Sequence, residues 1–157
     1  MIAPEFVLRP AHDVDYDYVI SRVDGWWGGR DVSRMLPRLF FEHFPATTIV
    51  AEDEESRRVV GFICGFRSEA EADLAYIHFV GVDPEARSGG LGRTLYEWFF
   101  ARAHELGCRR VKCVTSPANS DSLAFHAAMG FAGFDVANYD GPDEDRVVLT
   151  RALHPFG

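Results

Sequence analysis

A cluster of glycines between an apolar segment and an amphipathic one constrains the fold of this 157-residue chain more than any other feature. The apolar segment ends at Val82, the dipeptide Asp83-Pro84 favours a turn, and glycines dominate residues 89–92. The residues that follow have helical spacing. Glycines at a helix start leave backbone N–H groups uncovered where the helix dipole is positive, which suits a phosphate or pyrophosphate. The cluster therefore predicts a strand–loop–helix unit that binds a phosphorylated cofactor.

Two arginines flank this loop, and its sequence differs from two common phosphate-binding motifs. Arg87 and Arg93 are placed to add charge-assisted hydrogen bonds to the same anion. A Walker A loop requires Lys-Ser or Lys-Thr after its last glycine, whereas Arg93-Thr94 follows Gly92. A dinucleotide fingerprint requires a third small residue, whereas Leu95 occupies that position. The remaining alternative is an ordinary strand-to-helix turn in which the glycines serve only the backbone conformation.

The spacing of this loop and of a second block resembles a known family. The Arg-x-x-Gly-x-Gly pattern of residues 87–92 resembles the acyl-CoA signature of the GNAT superfamily of N-acetyltransferases. The Val-x-Pro strand end at 82–84 precedes it, as is usual in that family. The block 119–131, which begins with asparagine and closes on Gly-Phe, looks like the family's later motif. The resemblance covers roughly residues 5 to 153, almost the whole chain.

The resemblance implies a mixed α+β fold of the acyl-CoA N-acyltransferase type. In that fold the central sheet is mostly antiparallel, its middle strands are splayed apart around the acyl-CoA, and about four helices flank it. The length fits a single domain over residues 1–157, large enough for a substantial core.

Hydrophobic periodicity and turn residues predict the order of the elements. The predicted strands are 6–9, 47–51, 59–66, 72–82, 110–115, 131–136 and 146–153. The predicted helices are 13–26, 33–44, 90–106 and 119–129. Asp13 or Asp15 is expected to cap the first helix, and Pro37 is tolerated in the first turn of the second.

Composition and charge exclude several classes of protein. A hydrophobic content of 47% and an aromatic content of 13% exclude a disordered chain. No apolar run approaches ~20 residues and the first residues lack a basic start, so we expect neither a transmembrane helix nor a secretory signal. The net charge of −8 argues against nucleic-acid binding. It permits attraction of cationic amines, although the acidic run 52–55 is more simply a solvated hairpin tip.

The cysteines and histidines indicate a reduced protein without a metal. Cys64, Cys108 and Cys113 are an odd set amid apolar or strand-like sequence, which favours buried thiols in a cytoplasmic protein. The spacing of Cys108 and Cys113 is not that of a zinc site, and the six histidines are scattered. We therefore expect no metal and a cytoplasmic location.

The resemblance assigns the binding of acetyl-CoA to a strand end, the glycine loop and the second block. Backbone groups of Val80 and Val82 are expected to hold the pantetheine and the thioester oxygen, because a strand edge opened by the splay leaves amides free. Asn119 is expected to hold a pantetheine amide, and its alternative role is a helix N-cap. The full cofactor-binding set is Val80, Val82, Arg87, Ser88, Gly89, Gly90, Leu91, Gly92, Arg93, Thr94, Asn119, Ser122 and Phe125.

A histidine stands where the family often has the tyrosine that protonates the leaving thiolate. That position, four residues before the glycine of the closing Gly-Phe, holds His126. An imidazole is able to donate the proton, although less of it is charged at neutral pH. The alternative is a histidine that serves packing or lies on the helix surface, in which case Tyr139 or Tyr76 is the donor.

The general base is expected on the strand that leads to the glycine loop. A period of two puts Tyr76, His78, Val80 and Val82 on one face of that strand. No carboxylate occurs on this face, so His78 is the best candidate for the base, acting directly or through water. The alternative for His78 is a core histidine hydrogen-bonded within the fold. The predicted catalytic set is therefore His126, His78 and Tyr76.

The segment between the first two helices covers the acceptor site in relatives. Trp26 and Trp27 are predicted to wall an apolar or cationic acceptor through stacking or cation–π contact. One of the two tryptophans is alternatively a hydrophobic plug between the helices. Arg30 and His43 complete the predicted acceptor set, and His43 alternatively only ends its helix, where a cation is favourable.

These features predict an acetyl-CoA-dependent N-acetyltransferase that uses direct attack in a ternary complex. The acceptor is expected to be a small-molecule or peptide amine, with neither nucleic acid nor membrane as a partner, and a homodimer is considered. Two alternatives remain open. One is a non-catalytic acyl-CoA-binding or sensing domain, and the other is a phosphate-binding hydrolase or nucleotide-binding domain.

Overall fold

The computed structural model of the protein describes residues 5–154, except for the side chains of residues 87 and 88. Seven strands form one sheet, and four α-helices and two short 3₁₀ helices connect them. The strands are β1 (Phe6–Pro10), β2 (Ile49–Asp53), β3 (Val59–Arg67), β4 (Leu74–Val82), β5 (Arg110–Thr115), β6 (Ala132–Val136) and β7 (Arg146–Ala152). The helices are α1 (Asp13–Trp26), α2 (Leu39–His43), α3 (Leu91–Glu105) and α4 (Ser120–Ala128), and the 3₁₀ helices are Ser33–Met35 and Pro84–Gly89.

The sheet is antiparallel except at its centre, where β4 and β5 run in parallel. The strand order is β1-β2-β3-β4-β5-β7-β6. The parallel pairing joins only Leu74–Tyr76 to Arg110–Lys112, and β4 continues to Val82 without a partner on its β5 side. The structure thus confirms the predicted mixed fold, with a mostly antiparallel sheet, splayed middle strands and four α-helices.

Two hydrophobic layers cover the sheet, one on each face. On the first face, called the α3 face here, Leu95 and Phe99 of α3 pack against strand residues such as Ile63. On the second face, called the α1 face, Val19 of α1 packs with α2 and with Phe62 of β3. The alternation of neighbouring strand residues between the layers is the period-two pattern of a sheet buried on both sides.

A β-bulge in β4 shifts this alternation. In the ladder between β3 and β4, Cys64 pairs with Phe79 and Gly65 pairs with Ile77, so His78 has no partner across the strands. Before the bulge Ile77 packs on the α3 face, and after it Phe79 packs on the α1 face. An inserted residue re-aims every side chain that follows it.

The bulge corrects the prediction that four alternate residues of β4 share one face. Tyr76 and His78 point to the α1 face, where His78 stacks on Phe40 of α2 with ring centroids 4.8 Å apart. Val80 and Val82 instead pack against the α3 face. A strict period of two fails here because the sequence of β4 alone does not indicate the extra residue.

The predicted helix from Ser33 to Phe44 is also corrected. The structure has a 3₁₀ helix at Ser33–Met35 and a separate α2. Leu36 between them is extended, with φ −112° and ψ 94°. Pro37 disfavours the helical conformation of the residue before it, so the chain breaks there.

The start of α1 differs in one detail from the prediction that Asp13 or Asp15 caps it. The N-cap is His12, whose backbone N–H donates to the Asp15 carboxylate at 2.7 Å. Asp15 therefore stabilises the start of the helix from its third position, as the acidic member of a capping box does.

We predict that Gly65→Ala destabilises the fold. A Cβ at Gly65 overlaps the carbonyl oxygen of Tyr76 and approaches the Phe99 ring to 2.8 Å. Such overpacking costs roughly 1–3 kcal/mol or more in unfolding free energy, measurable by urea denaturation. Gly25→Ala is the control. A Cβ at this position meets nothing within 4 Å, and alanine favours the helical conformation of α1 more than glycine does. This control should gain about 0.5–1 kcal/mol, and equal stability of the two variants contradicts the packing argument.

Candidate functional site

A cavity of about 630 Å³ lies where β4 and β5 separate, and it is lined both by residues of the α3 face and by the loop after α1. We call it the splay cavity. It is lined by the predicted residues Trp27, Arg30, Val80, Val82, Gly90, Gly92, Arg93, Asn119, Ser122, Phe125 and His126. Gly28, Tyr96 and Asp121 also line it. Residues from the loop after α1, from β4, α3 and α4 are therefore brought together although they are distant in the sequence.

The open edge of β4 presents backbone donors to this cavity. The Asp83 amide donates to the Val60 carbonyl of β3 at 2.8 Å. Because successive residues of a strand direct their N–H groups to opposite sides, the amides of Val82 and Val80 point away from β3. On that side β4 has no partner beyond Tyr76. The two amides therefore face the gap between the strands.

The start of α3 lies beside this edge. Gly90 is its N-cap and has φ +71°, a left-handed conformation that side chains rarely adopt. The first hydrogen bond within the helix joins the Thr94 amide to the Gly90 carbonyl at 3.1 Å. The amides of residues 91–93 thus have no acceptor within the helix and carry its positive dipole end. A Cβ at Gly90 meets nothing within 4 Å, so the space above the turn is open.

The other loop residues of the predicted cofactor set have distinct environments. Leu91 is a core side chain, and Gly89 is exposed. The Thr94 hydroxyl donates to the Gly90 carbonyl at 3.2 Å. Arg93 is exposed with Glu97 at 3.8 Å, a contact that leaves it able to reach an anion in the cavity. The predicted contacts of the Arg87 and Ser88 side chains lie outside the described residues.

Asn119 caps α4 and still offers donors to the cavity. Its side-chain oxygen accepts a hydrogen bond from the Ser122 amide at 3.2 Å, as expected of an N-cap. This cap uses only the oxygen of the Asn119 amide. The two N–H donors of the same group remain for a ligand.

His126 lies at the inner end of the cavity with both ring nitrogens engaged. Its Nδ1 is 2.7 Å from the Ser122 carbonyl oxygen, and its Nε2 is 2.8 Å from the Tyr96 hydroxyl. Because a carbonyl only accepts, Nδ1 carries the hydrogen in the neutral ring, and Tyr96 donates to Nε2. Burial lowers the pKa of His126, and the bond to Ser122 opposes that shift. Burial likewise raises the pKa of Tyr96 well above its usual value.

His78 lies on the opposite side of the sheet from this pair. Its Nε2 donates to the Met35 carbonyl oxygen at 2.6 Å, so the neutral ring keeps an unprotonated Nδ1. Tyr76, also predicted as catalytic, stacks on Phe66 on the same face. Burial, with smaller effects of Tyr139, Cys113 and Asp140, raises the pKa of Tyr76 to about 12. Neither His78 nor Tyr76 lines the splay cavity.

The four residues predicted to bind the acceptor lie in different environments, and only two of them line the cavity. Trp27 lines the cavity with its ring tilted against that of Phe79 at a centroid distance of 5.5 Å. Its buried indole N–H has no acceptor in the part of the chain that is described. Trp26 is only 5% exposed and packs against Phe62 as a plug under α1. Arg30 is exposed at the cavity.

The fourth residue, His43, does not reach the cavity. It ends α2 with its side chain 69% exposed, 3.5 Å from Glu42. The structure places this histidine at the exposed end of its helix, and its contact with the acceptor stays a prediction.

Sequence reasoning missed Tyr96 and Asp121. Tyr96 follows Gly92 by four residues on α3, so the two positions share a helix face. This helical spacing could have identified Tyr96 from the sequence.

Within residues 5–154, no group of three or more His, Cys, Asp or Glu side chains is arranged to hold a metal ion. No helix in the same range is long and apolar enough to cross a membrane.

Comparisons with known sequences agree on one family. The sequence profile described as acetyltransferase (GNAT) family matches residues 16–131. An L-2,4-diaminobutyric acid acetyltransferase of Nocardia farcinica is 33% identical over 91 residues, which are 58% of this chain and 46% of that protein. A mycothiol acetyltransferase of Thermobispora bispora is 28% identical over 116 residues, which are 71% of this chain and 38% of that protein. The chain thus spans less than half the length of these curated relatives.

Solved structures with this architecture cover the whole length. Ard1 from Thermoplasma volcanium superposes with a TM-score of 0.78 at 20% identity, covering 98% of this chain and 99% of that one. The diaminobutyrate acetyltransferase EctA from Paenibacillus lautus, in complex with L-2,4-diaminobutyric acid and coenzyme A, has a TM-score of 0.71 at 22% identity. That match covers 98% of this chain and 99% of the other. At such identities the likeness establishes the fold alone.

The buried His126 generates a testable pH dependence of stability. Because the folded pKa is lowered below the unfolded value of about 6.5, the unfolded chain binds more protons at this site as the pH falls. The stability that the neutral ring contributes is complete above about pH 6.5 and is lost as the pH falls towards the folded pKa. Urea denaturation of wild type and His126→Gln should show the difference in unfolding free energy shrinking below that pH. A difference that grows on acidification contradicts the lowered pKa.

Proposed function

The chain belongs to the acetyltransferase (GNAT) family, and we propose on that premise that it transfers an acetyl group from acetyl-CoA to a primary amine. The transfer is by direct attack of the amine in a ternary complex. The observation that carries this proposal is the convergence of the free β4 edge and the start of α3 on one cavity of about 630 Å³. The non-catalytic acyl-CoA-binding alternative is not favoured, because the similar curated proteins are named as acetyltransferases.

The residues of the splay cavity fit the successive parts of acetyl-CoA. The amides of residues 91–93 and the guanidinium of Arg93 bind the pyrophosphate, because the helix dipole and the positive charge favour an anion there. Binding of the same anion by Arg87 stays a prediction from the sequence. The backbone amides of Val80 and Val82 and the side-chain amide of Asn119 hold the pantetheine and the thioester oxygen. The buried indole N–H of Trp27 supplies one more donor. Bound acetyl-CoA supplies the activated acetyl group and a thiolate leaving group.

The thiols of the chain are poorly suited to carry an acetyl group, which favours direct transfer. Cys64, Cys108 and Cys113 are free and buried. Burial raises the pKa of the Cys113 thiol to about 12 and also raises the pKa values of Cys64 and Cys108. Because the thiolate is the nucleophile of cysteine chemistry, these residues are inert at neutral pH. Free thiols also support a cytoplasmic location.

His78 is the proposed general base. The hydrogen bond to the Met35 carbonyl and the stack on Phe40 fix the ring and leave its Nδ1 as the acceptor of a proton. The bulge places this residue next to the point where β4 and β5 separate. An amine on the α1 face is therefore deprotonated by His78, directly or through water, while the thioester is held from the α3 face.

The proposed acid is the hydrogen-bonded pair of His126 and Tyr96. With Nδ1–H donated to Ser122, the neutral His126 ring has no N–H left for a thiolate. The Tyr96 hydroxyl lines the cavity, and rotation about its C–O bond turns the O–H from Nε2 to a leaving thiolate. Two buried groups in one hydrogen-bonded unit thus take the place of the single tyrosine that the resemblance implies.

The acceptor is proposed to be a small molecule with a primary amine. Two of the similar curated proteins are named for transfer to L-2,4-diaminobutyric acid, a small diamine with a carboxylate. The homodimer and a peptide acceptor stay predictions.

Binding of the cofactor is tested with paired glycine variants at the two ends of α3. Gly90→Val and Gly107→Val both impose strain, because both glycines have positive φ, +71° and +88°. Only Gly90 borders the cavity, where a branched side chain crowds the approaching pyrophosphate. Calorimetry should show acetyl-CoA affinity lowered at least about tenfold in Gly90→Val and unchanged in Gly107→Val.

The activity is tested by release of free CoA thiol from acetyl-CoA with a panel of amines. Amine-dependent release is expected, with intersecting initial-velocity lines because no acetyl-enzyme forms. Binding of acetyl-CoA without release for any amine favours the sensing domain, and competition by ATP but not by CoA favours a nucleotide-binding protein.

The acid pair is tested by His126→Ala and Tyr96→Phe. Each should lower kcat by about 10²-fold and leave acetyl-CoA affinity nearly unchanged, and the two losses should not add because the residues act as a unit. A tyrosine at 126 extends towards the Tyr96 hydroxyl, which lies 2.8 Å from Nε2. Rescue is therefore expected from the double variant His126→Tyr with Tyr96→Phe. If both single variants turn over like wild type, the pair is structural.

A further inference from the structure

Lys112, the only lysine of the chain, lies on β5 at the last position before the middle strands separate. Its partner across the parallel ladder is Tyr76. The neighbouring residues Val111 and Cys113 are buried in the layer on the α3 face. Because strand side chains alternate, Lys112 points to the α1 face, the face of Tyr76 and His78. The lysine and the proposed base therefore share one side of the sheet.

The ammonium group of Lys112 has no carboxylate partner among the described residues. It lies over the Tyr139 ring, whose centroid is 5.9 Å from Nζ. The acid next to that tyrosine, Asp140, is paired with the Arg146 guanidinium at 2.8 Å. Arg9, like Arg146, is half-buried and has carboxylates within 4 Å. Lys112 is half-buried as well, yet its charge is left for a ligand.

The spacing between Lys112 and His78 matches a small bifunctional ligand. Tyr76, the ladder partner of Lys112, precedes His78 by two residues, and both side chains extend from the same face. In a regular ladder the two Cα atoms would be about 8 Å apart, and the bulge and the separation of the strands lengthen this distance. The flexible stem of Lys112 spans part of it, so a ligand of several carbon atoms can place an anion at the ammonium and an amine at His78.

We propose that Lys112 binds a carboxylate of the acceptor, so that the acceptors are amino acids with a second, reacting amine on the side chain. The inference rests on the function proposed above and narrows its substrate class. The carboxylate pairs with the ammonium of Lys112 on the α1 face. The side-chain ammonium gives one proton to His78, and the neutral amine attacks the thioester carbon and forms the carbon–nitrogen bond. The carbon–sulfur bond then breaks, the nitrogen of the new amide releases its second proton to water, and the thiolate takes the hydrogen of the Tyr96 hydroxyl, which is restored from water.

The test compares acceptors that differ only in the carboxylate. Ornithine is assayed against putrescine and lysine against cadaverine, because each diamine is its amino acid without the carboxyl group. In the wild type, kcat/KM should be about 10- to 100-fold higher for the amino acids, the range of a charge-assisted hydrogen bond. Rising ionic strength should reduce this preference.

Variants at Lys112 and at a nearby surface arginine complete the test. Lys112→Met keeps the apolar stem of the side chain and removes its charge. It should raise KM for the amino acids by about 10- to 100-fold and leave KM for the diamines and for acetyl-CoA unchanged. Lys112→Arg should keep most of the preference. Arg109→Gln removes one positive charge from the same segment at an exposed site. It should change neither the ornithine-to-putrescine ratio nor the lysine-to-cadaverine ratio of kcat/KM.

The outcomes separate this inference from the proposed function. Equal use of amino acids and diamines by the wild type overturns the role of Lys112 while transfer itself stands. An unchanged preference in Lys112→Met assigns the carboxylate to another cation and also overturns it. Absence of transfer to every amine, although acetyl-CoA binds, overturns the proposed function instead.

Discussion

The short parallel pairing of β4 and β5 is the constraint on which the rest of the structure depends. It ends after Tyr76 and Lys112, while β5 stays paired with β7 along its length. Backbone donors inside a fold must find partners, and the donors of Val80 and Val82 have none on the sheet. The separation therefore creates, in one step, a cavity and the groups that a ligand with peptide-like amides can satisfy. The start of α3 closes that cavity at the end where an anion is favoured.

The bulge at His78 has the complementary effect on the side chains of β4. Without it, His78 and Val80 would both face the layer of α1 and α2, and the cavity on the α3 face would be lined differently. The extra residue lets one strand present an imidazole to one face and apolar side chains, with their free amides, to the other. In the proposed mechanism the strand thereby contacts the amine on one face and the thioester on the other. Bulges are over-represented next to active sites, where they re-aim a side chain.

The sequence predicted what depends on local pattern and missed what depends on distant partners. The bounds of α1 and β5 agree with the structure, because period and flanking turn residues specify them. The second helix is split because Pro37 disfavours the helical conformation of Leu36, although proline by itself is compatible with the first turn of a helix. The bulge depends on the register that β3 imposes, and the contact of Tyr96 with His126 joins residues 30 positions apart. Neither the bulge nor this contact can be inferred from the residue spacing within a single segment.

The environments of the two histidines differ in the way that acid and base functions require. His126 is 6% exposed, and its single hydrogen is committed to the Ser122 carbonyl, so burial holds it neutral and bound to Tyr96. His78 is half-exposed, and its committed hydrogen leaves a lone pair on the other nitrogen. The two rings therefore differ in whether a nitrogen is free to accept a proton, and this difference suits the opposite roles proposed for them. The N–H of the buried ring is committed to Ser122, so in the proposed transfer the acid is the Tyr96 hydroxyl, which turns its O–H from Nε2 to the leaving sulfur. The proton balance of the proposed transfer is therefore decided at the contact between α3 and α4, while recognition of the amine is decided on the other side of the sheet.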